Sequence, residues 1–437
     1  MGRRNYIFDT IKETFKLFGY PQLETPAMEN LSTLTGKYGD EGDQLLFKIL
    51  NSGDFLKKVE AQDLQAGAVK VLPKIAEKGL RYDLTVPFAR FVVMNRNDLV
   101  FPFKRFQIQP VWRADRPQRG RYREFYQCDA DVVGTDSLVC EAEILLMVRR
   151  VFAHLQLTDY TIKINNRKIL TGIAEVIGET GKEGELCVAI DKLDKIGWEK
   201  VQEELRQRGF VEEGIQKLFP IVDLKDGNEG KMKFMEEFLA SSPTGLKGLS
   251  ELREVFQLLA SYGESEDYVD FDLVLARGLS YYTGAIFEVK INNVGIGSVG
   301  GGGRYDNLTG VFGLPDVSGV GFSFGVDRLY DVLEELELFP DVESRGTKAM
   351  VGFLNIEGRK HGLKILNSLR SSGIASEIYP DEAKLKRQFT YADKKNIPYV
   401  LLIGPEEIAE EKVTLRNMKT GEQETMPLES AILKITE

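Results

Sequence analysis

Five arginines lie within eleven positions of a chain whose formal net charge is -10. An acidic protein has little reason to concentrate positive charge unless the arginines face an anion, and the planar guanidinium group pairs well with phosphate oxygens. Aromatic residues alternate with these arginines, and aromatic faces stack on nucleobases. The segment therefore predicts a site for phosphates and a stacked base, with a solvated basic loop as the alternative. The arginines are Arg113, Arg116, Arg119, Arg121 and Arg123, and the aromatic residues are Trp112, Tyr122, Phe125 and Tyr126.

Several common kinds of active site are excluded by what the sequence lacks. His154 and His361 are its only histidines, and each lies in a helical pattern typical of a packed or surface residue. The sequence has no Walker-type phosphate loop, no G-x-S-x-G elbow and no H-E-x-x-H motif. A G-x-G-x-x-G match at 295–300 continues into the glycine run 300–303, which cannot begin a stable helix as the dinucleotide fingerprint requires. Arginine side chains must therefore hold the phosphates, which favours substitution at phosphorus, where positioning and charge neutralisation dominate.

The arginine loop is predicted to connect two strands of a hairpin. Residues 105–109 and 124–129 alternate in polarity as half-buried strands do, and Pro117 and Gly120 mark a turn between them. The glycine run 300–303 reads as a strand closely approached by a ligand or another backbone. These patterns predict a sheet whose hairpin presents the arginines.

The wider pattern predicts one divided sheet and a separate C-terminal domain. The chain is mostly helical from about 166 to 262, and strand patterns resume at 270, so the segments on either side of this insertion would share a sheet. The short run 68–75 also alternates as a strand. Past Pro340, strands and helices alternate as in a small α/β domain.

Composition excludes several protein classes. A chain of 437 residues with 43% hydrophobic content can form two or three cores, and its three cysteines show no spacing for a disulfide framework or a zinc site. The N-terminus lacks the apolar core of a signal peptide, and no long uncharged apolar run follows. We therefore expect a cytoplasmic protein that does not associate with membranes.

Three short motifs occur in order along the chain: RAD at residues 113–115, LARGLSYY at 275–282 and GVGFSFGVDR at 319–328. Together they resemble the histidyl-tRNA synthetases, a class II aminoacyl-tRNA synthetase family. RAD resembles motif 2, GVGFSFGVDR resembles motif 3, and LARGLSYY resembles the signature of that family. The segments RYDLTVPFAR and RGRYREFYQCD are also similar to it. Two positions depart from the pattern, since Asp115 stands where motif 2 usually has Glu and Ser280 stands where relatives often have Asp.

The resemblance covers nearly the whole chain and implies its architecture. The implied fold class is α+β, with a class II synthetase-type antiparallel sheet flanked by helices, a helical insertion and a C-terminal α/β domain of the anticodon-binding type. The implied domains are the first part of the catalytic domain at 1–165, the insertion at 166–262, the second catalytic part at 263–339 and the anticodon-binding domain at 346–437.

The resemblance also implies roles for individual residues. The catalytic residues would be Arg277 and Arg113, of which Arg277 would neutralise the α-phosphate of ATP during attack by histidine. The residues that would bind histidine are Asp83, Thr85, Gln127, Asp131, Tyr281 and Tyr282. The residues that would bind ATP are Arg113, Arg121, Arg123, Phe125 and Arg328. The residues that would contact tRNA are Arg116, Gln118 and Arg119, and in the C-terminal domain Lys384, Lys386, Arg387 and Gln388 are candidates for the anticodon.

The implied partners are L-histidine, ATP, histidine tRNA and a second copy of the chain. ATP would serve as a substrate together with Mg²⁺, and neither zinc nor a metal site of the protein's own is expected. The homodimer would form through the N-terminal helix and the strand around Pro26. Two alternatives stay open: a non-catalytic synthetase-like regulatory subunit of histidine biosynthesis, and a class II synthetase for another amino acid.

Overall fold

The computed structural model of the chain describes residues 1–190, 192–276, 281–340 and 346–436, and leaves the side chains at 39–41, 194 and 195 undescribed. The chain divides into two compact units, Arg3–Leu338 and Phe339–Glu437. No helix in the described ranges is long and apolar enough to cross a lipid bilayer.

The first unit is built on strands from both sides of a helical segment. Within the described residues, these strands are β1 (Met28–Asn30), β2 (Lys48–Ile49), β3 (Lys78–Leu80), β4 (Phe103–Trp112), β5 (Glu124–Val133), β6 (Tyr160–Asn166), β7 (Val269–Phe271), β8 (Ala285–Ile291), β9 (Gly300–Tyr305) and β10 (Gly319–Gly325). The last seven of them form the central sheet in the order β4-β5-β10-β9-β8-β6-β7. All neighbours are antiparallel except β6 and β7, which run parallel. The prediction of one divided, mainly antiparallel sheet is therefore confirmed.

Helices flank this sheet and fill the segment between its two parts. In the described part of the unit they are α1 (Gly2–Leu17), α2 (Leu31–Leu34), α3 (Gly39–Gln44), α4 (Ala61–Ala66), α5 (Ala68–Ile75), α6 (Thr85–Met94), α7 (Val139–His154), α8 (Arg167–Val176), α9 (Glu183–Ile190), α10 (Leu193–Ile196), α11 (Trp198–Gln207), α12 (Glu212–Asp223), α13 (Asn228–Phe238), α14 (Pro243–Ser261) and α15 (Val326–Glu335), with a 3-10 turn at Gly310–Phe312. In the helical segment, α8 and α14 pack so closely that a Cβ added at Gly172 would lie 2.5 Å from the Cα of Gly245.

One face of the central sheet is apolar and covered by helices. Phe106 of β4 and Phe324 of β10 are fully buried. The ring of Phe15 on α1 lies 5.5 Å from Phe106 and 6.0 Å from Phe324, and the ring of Phe152 on α7 lies 6.2 Å from Phe324. Because this face is closed by α1 and α7, polar residues on the same strands point to the opposite face.

The strand predicted at 68–75 is wrong, because this segment forms helix α5. Alternation over a short run does not separate strand from helix, and the run has no buried residue that would fix its side-chain period. Val69, for example, is 84% exposed. The segment packs on α4 beside the small sheet β1-β3-β2.

The second unit is a five-stranded sheet with helices. Its described elements are β11 (Ala349–Phe353), α16 (Ile356–Ser371), β12 (Ser376–Ile378), α17 (Leu385–Lys394), β13 (Tyr399–Ile403), α18 (Pro405–Ala409), β14 (Val413–Asn417), β15 (Gln423–Met426) and α19 (Leu428–Thr436). The strand order is β12-β11-β13-β14-β15, with β11 parallel to both of its neighbours and β14 antiparallel to its neighbours. The predicted α/β character of this region is confirmed.

Candidate functional site

The opposite face of the central sheet carries a row of polar side chains along β5. Gln127, Asp129 and Asp131 alternate along this strand and so point to one side of the sheet. Their register partners on β4 are Gln109, Gln107 and Arg105, and their partners on β10 are Gly325, Ser323 and Gly321. The hairpin strand that sequence alternation predicted thus leads from the arginine loop directly into a buried polar site.

Glycines on the neighbouring strands make room for the larger side chains of this face. A Cβ added at Gly321 would lie 2.0 Å from Oδ1 of Asp131, so the carboxylate rests directly on the β10 backbone. A Cβ added at Gly303 of β9 would lie 3.0 Å from Cδ1 of Tyr282. Other atoms therefore approach the backbone of the glycine run 300–303 closely, as the sequence predicts. One of the groups that approaches it is Tyr282, a residue of the predicted histidine site.

Asp131 is fixed by a cation and a phenol. Nη2 of Arg105 lies 2.8 Å from Oδ2 of Asp131, and the hydroxyl of Tyr305 donates to Oδ1 at 2.7 Å. All three side chains are buried. Burial raises the pKa of Asp131, while Arg105 and the Tyr305 hydroxyl oppose that rise. Arg105 also lies 4.3 Å over the ring of Phe88, so its cation is held against α6.

Asp83 forms a second buried carboxylate just before α6. Its Oδ1 accepts hydrogen bonds from the backbone N–H of Val86 and from the hydroxyl of Tyr38, both at 3.1 Å. Its Oδ2 accepts a hydrogen bond from the hydroxyl of Tyr281 at 3.1 Å. Asp83 therefore caps α6 and contacts the predicted site at once. Burial raises its pKa, although Val86 N–H and then Arg113 oppose the rise.

The two tyrosines that end the family signature lie against these acids. The rings of Tyr281 and Tyr282 meet edge to face at 5.0 Å, and the Tyr281 ring lies 6.1 Å from that of Tyr305. Tyr281 also shares a hydrogen bond with Thr85. Burial raises the pKa of Tyr282 far above its usual range, and Asp131 and Asp83 raise it further. The structure thus brings together five of the six residues predicted to bind histidine: Asp83, Thr85, Asp131, Tyr281 and Tyr282.

Gln127, the sixth of them, lies on the same face nearer the arginine loop. Its Nε2 donates to the Ser323 hydroxyl at 2.9 Å, and its buried Oε1 has no hydrogen-bond partner in the described ranges. A buried amide oxygen without a partner is costly unless water or a ligand completes it. Gln127 therefore lies between the polar face and the arginine loop, with a side-chain oxygen that water or a ligand can complete.

Asp129 is a site residue that sequence reasoning missed. It is 2% exposed, lies between Gln127 and Asp131, and accepts a hydrogen bond from Ser323. Burial raises its pKa to about 7, Arg105 opposes the rise, and Asp131 adds to it. Strand alternation places Asp129 on the same face as Gln127 and Asp131, which the family resemblance selected, so the signal was present in the sequence.

Arg113 stands where β4 enters the loop. Its guanidinium lies 4.1 Å over the ring of Tyr82 and 5.1 Å over the ring of Phe125, and its Nε donates to the carbonyl of Tyr82 at 3.1 Å. Both Arg113 and Phe125 are half-buried. This stacking fixes a cation and an aromatic face next to each other, close enough to Asp83 for Arg113 to lower its pKa.

Arg328 links the hairpin loop to the segment that precedes β9. Its Nε donates to the carbonyl of Gly120 at 2.7 Å and its Nη1 donates to that of Ser298 at 2.5 Å. Gly120 has a φ of 72°, a left-handed conformation that glycine adopts without strain. Arg328 therefore closes the loop over the edge of the sheet, with a half-buried side chain.

The remaining loop arginines are exposed. Arg121 has an Nη1 that lies 3.8 Å from Oδ1 of Asp115, and Arg123 donates to the carbonyl of Asp115 at 3.2 Å. Arg119 forms an ion pair with Glu335 of α15 at 2.6 Å. Arg116 and Gln118 are exposed near the tip, so the structure separates Arg116, Gln118 and Arg119 from the buried polar face.

The structure does not describe every residue that the sequence analysis names. Arg277 and Ser280 lie outside the described residues. Among the residues that are described, no three His, Cys, Asp or Glu side chains are grouped to hold a metal ion.

In the second unit, Gln388 has a structural position that the sequence did not indicate. Its side chain is fully buried, accepts a hydrogen bond from the N–H of Phe353 at 3.1 Å and donates to the carbonyls of Phe353 and Ala383. These bonds join α17 to the end of β11. The neighbouring basic residues Lys384, Lys386 and Arg387 are exposed.

Comparison with known proteins identifies relatives over both units. A family model described as histidyl-tRNA synthetase matches residues 52–329, and one described as an anticodon binding domain matches residues 348–437. The histidine–tRNA ligase of Cytophaga hutchinsonii is 59% identical over 100% of this chain and 96% of that protein. The histidine–tRNA ligase of Phocaeicola vulgatus is 57% identical over 97% of this chain and 93% of that protein.

Solved structures agree with these matches. The histidyl-tRNA synthetase from Nostoc sp. PCC 7120 superposes with a TM-score of 0.81 at 30% identity, covering 99% of this chain and 95% of that one. An ATP phosphoribosyltransferase regulatory subunit/histidyl-tRNA synthetase from Bacillus halodurans shares the fold with a TM-score of 0.71 at 22% identity, covering 92% and 94%.

Proposed function

This chain belongs to the histidyl-tRNA synthetase family, and we propose that it activates L-histidine with ATP and transfers the histidyl group to histidine tRNA. In the first step a histidine carboxylate oxygen bonds to the α-phosphorus, the bond from that phosphorus to the bridging oxygen breaks, and pyrophosphate leaves. In the second step a hydroxyl of the 3'-terminal adenosine displaces AMP. The observation that carries this proposal is a buried face rich in carboxylates. One of them, Asp83, lies close enough to Arg113 for that cation to lower its pKa.

Histidine would bind at the acidic end of this face. A positively charged ammonium group needs carboxylates, and an imidazole needs a hydrogen-bond partner for each nitrogen. Asp83 and Asp131 supply buried carboxylates, while Gln127 and the pair Tyr281 and Tyr282 supply neutral partners beside them. We assign Thr85 to the same pocket through its hydrogen bond with Tyr281.

ATP would bind at the arginine end. Arg113 would hold the α-phosphate, and the half-buried ring of Phe125 beside it would stack on adenine. Arg121 and Arg123 would meet the terminal phosphates. We propose that Arg328 packs on the other face of adenine. Two of its N–H groups donate to the carbonyls of Gly120 and Ser298 and so hold the loop in place.

Arg277 would complete the site during the reaction. Charge builds up on the α-phosphate as the histidine carboxylate attacks, and a second cation beside Arg113 stabilises that charge in the transition state. This role rests on the family signature around Arg277. Mg²⁺ would arrive with ATP and neutralise charge on its phosphates.

The tRNA would contact both units. The exposed loop tip with Arg116, Gln118 and Arg119 would meet the acceptor end, where Arg119 exchanges its ion pair with Glu335 for a phosphate. In the second unit, the exposed residues Lys384, Lys386 and Arg387 stay candidates for the anticodon, whereas Gln388 is committed to the fold. We also propose a homodimer through the region around Pro26 and activity in the cytoplasm.

The alternatives are not favoured by the relatives. Curated proteins that match this chain from end to end are named histidine–tRNA ligases, and the second unit carries an anticodon binding domain. The neighbour from Bacillus halodurans supports the fold alone. A regulatory subunit or a synthetase for another amino acid therefore has no specific observation behind it.

Charging of tRNA tests the whole proposal. Purified protein is incubated with ATP, Mg²⁺, labelled histidine and histidine tRNA, and label that becomes acid-insoluble is counted. We expect charging that depends on ATP and on this tRNA, and a loss of charging in Arg113→Ala. A protein that binds histidine without charging any tRNA would favour the regulatory alternative.

A further inference from the structure

Asp129 and Asp131 are two buried carboxyl groups, of which Asp131 forms an ion pair with Arg105 and Asp129 forms none among the described residues. They are two residues apart on the same face of β5, and each is 2% exposed. Arg105, directly opposite Asp131 in the register, is fully buried. Burial without an ion-paired cation disfavours the ionised form of Asp129.

Asp129, Asp131 and Arg105 differ in their hydrogen-bond partners, and some of their polar atoms have no partner among the described residues. Asp131 has both the ion pair with Arg105 and the hydrogen bond from Tyr305, whereas Asp129 has the hydroxyl of Ser323. Oδ1 of Asp129 and the Nε and Nη1 of Arg105 have no hydrogen-bond partner among the described residues. Buried polar atoms are rarely left this way, so the cluster points to a ligand or water that completes it.

The charged and titratable groups that face Asp129 come from several elements. Asp83 precedes α6 and raises the pKa of Asp129, as Asp131 does. Arg81, Cys128 and Tyr282 also interact with Asp129. With burial as the main cause, the pKa of Asp129 is about 7, so its proton is exchanged in the range where the enzyme would work. Burial raises the pKa of Asp131, whereas Arg105 and then the Tyr305 hydroxyl favour its ionised form.

We propose that Asp129 is a positioning residue that carries one exchangeable proton beside the ion pair of Asp131 with Arg105 and so sets the charge of the histidine site. When histidine enters, its ammonium group favours the ionised pair, so the proton on Asp129 leaves to solvent and Asp131 stays anchored on Arg105. This inference rests on the proposed function, because it takes histidine as the ligand of the polar face.

The coupling has a defined direction. An ionised Asp129 adds one negative charge to the pocket and attracts the ammonium group, whereas a protonated Asp129 does not. Histidine should therefore bind more tightly above the pKa of Asp129 than below it. If histidine lowers that pKa by one unit, linkage makes the affinity about tenfold higher at alkaline pH than with a permanently neutral residue.

Asp129→Asn tests the proposal, because it is isosteric and keeps the neutral state at every pH. The KM for histidine is measured by pyrophosphate exchange into ATP between pH 6 and 8 for both proteins. The ratio of the two KM values cancels the titration of histidine itself. With a shift of one unit, we expect this ratio to rise from about two at pH 6 to about nine at pH 8, with the KM for ATP changed less than twofold.

Two further variants separate positioning from general damage. Asp98→Asn makes the same chemical change at an exposed position and should leave the ratio at one throughout. Ser323→Ala removes the hydrogen bond that lowers the pKa of Asp129, so the midpoint of its pH profile should move upward. A ratio for Asp129→Asn that is constant with pH, or a KM for ATP that rises in parallel, would overturn the proposal.

A second measurement needs no variant. Calorimetry of histidine binding to the native protein at pH 7 in two buffers of different ionisation enthalpy counts released protons, and we expect roughly 0.4 protons per site from Asp129. A count of zero contradicts the inference while exchange still operates. If the native protein shows no histidine-dependent exchange and binds no histidine, the proposed function itself fails.

Discussion

Gly321→Ala should displace the carboxylate that we assign to the histidine pocket. The new Cβ would lie 2.0 Å from Oδ1 of Asp131 and 2.5 Å from its Cγ, whereas ordinary contact begins at 3.4 Å. The carboxylate therefore has to move by 3.4 - 2.0 = 1.4 Å, or the strands have to separate. Tyr305 at 2.7 Å and Arg105 at 2.8 Å hold it in its present position, so a shift of this size breaks at least one of these bonds.

The size of the effect follows from positioning. Misplacing a binding group by about 1 Å costs on the order of a hundredfold in rate. That factor corresponds to about 2.7 kcal/mol of lost transition-state stabilisation. We therefore expect kcat/KM for histidine to fall by about a hundredfold in Gly321→Ala, while the KM for ATP changes by less than about threefold, because Gly321 lies away from the arginine loop.

Gly325→Ala is the matched control. Gly325 lies on the same strand and points to the same face, but its added Cβ would meet the carbonyl of Val299 at an ordinary 3.4 Å. Both variants are assayed by histidine-dependent pyrophosphate exchange, after a thermal unfolding curve has shown that each is folded. The reasoning is refuted if a folded Gly321→Ala keeps kcat/KM for histidine within threefold of the native value, or if Gly325→Ala loses as much.

Three further outcomes are expected. Arg277→Ala should nearly abolish pyrophosphate exchange without changing the unfolding temperature, and unimpaired exchange would remove its assigned role. Glu141→Ala should lower the free energy of unfolding by about 3–5 kcal/mol, because it leaves the buried Arg304 without the carboxylate that binds it at 2.5 and 2.7 Å; an unchanged denaturation curve would contradict this. Burial raises the pKa of Asp129 from 3.8 to about 7, so the folded state holds an extra proton between these values and this group's contribution to stability falls as the pH rises through them. Asp129→Asn removes that loss of stability. The unfolding temperature of the variant minus that of the native protein should therefore increase from pH 4 to pH 7. A difference that does not change with pH would show that Asp129 does not titrate in this range.

The hairpin and its site face were predictable because they depend on local alternation. A period of two along β5 places Gln127 and Asp131 on one side whatever the rest of the chain does. The same rule applies to Asp129, which was passed over because motif resemblance rather than strand geometry selected the residues. Reading every alternate position of that strand would have found it.

Other features depended on contacts that sequence patterns do not contain. Arg105 was assigned no role because a lone arginine in a strand gives no sign of a buried acid across the sheet. Gln388 looked like part of an exposed basic face, yet its amide joins α17 to β11 through both donor and acceptor. Segment 68–75 was too short and too exposed for its period to distinguish helix from strand.

The different roles of Arg113 and Arg328 could be distinguished only with the structure. Both occur in recognisable motifs, and both would be read as phosphate ligands from the sequence. In the folded chain Arg113 is stacked between two aromatic rings, whereas Arg328 donates to the carbonyls of Gly120 and Ser298. Arg328 therefore supports the shape of the nucleotide pocket in addition to any contact with ATP.

Pyrophosphate exchange across all twenty amino acids tests the central claim most directly, because it reports adenylate formation without tRNA. The purified protein is incubated with ATP, Mg²⁺, labelled pyrophosphate and one amino acid at a time. The account predicts that histidine alone supports rapid incorporation of label into ATP, and that Arg113→Ala loses it. Exchange with a different amino acid, or with none of the twenty, would contradict the account.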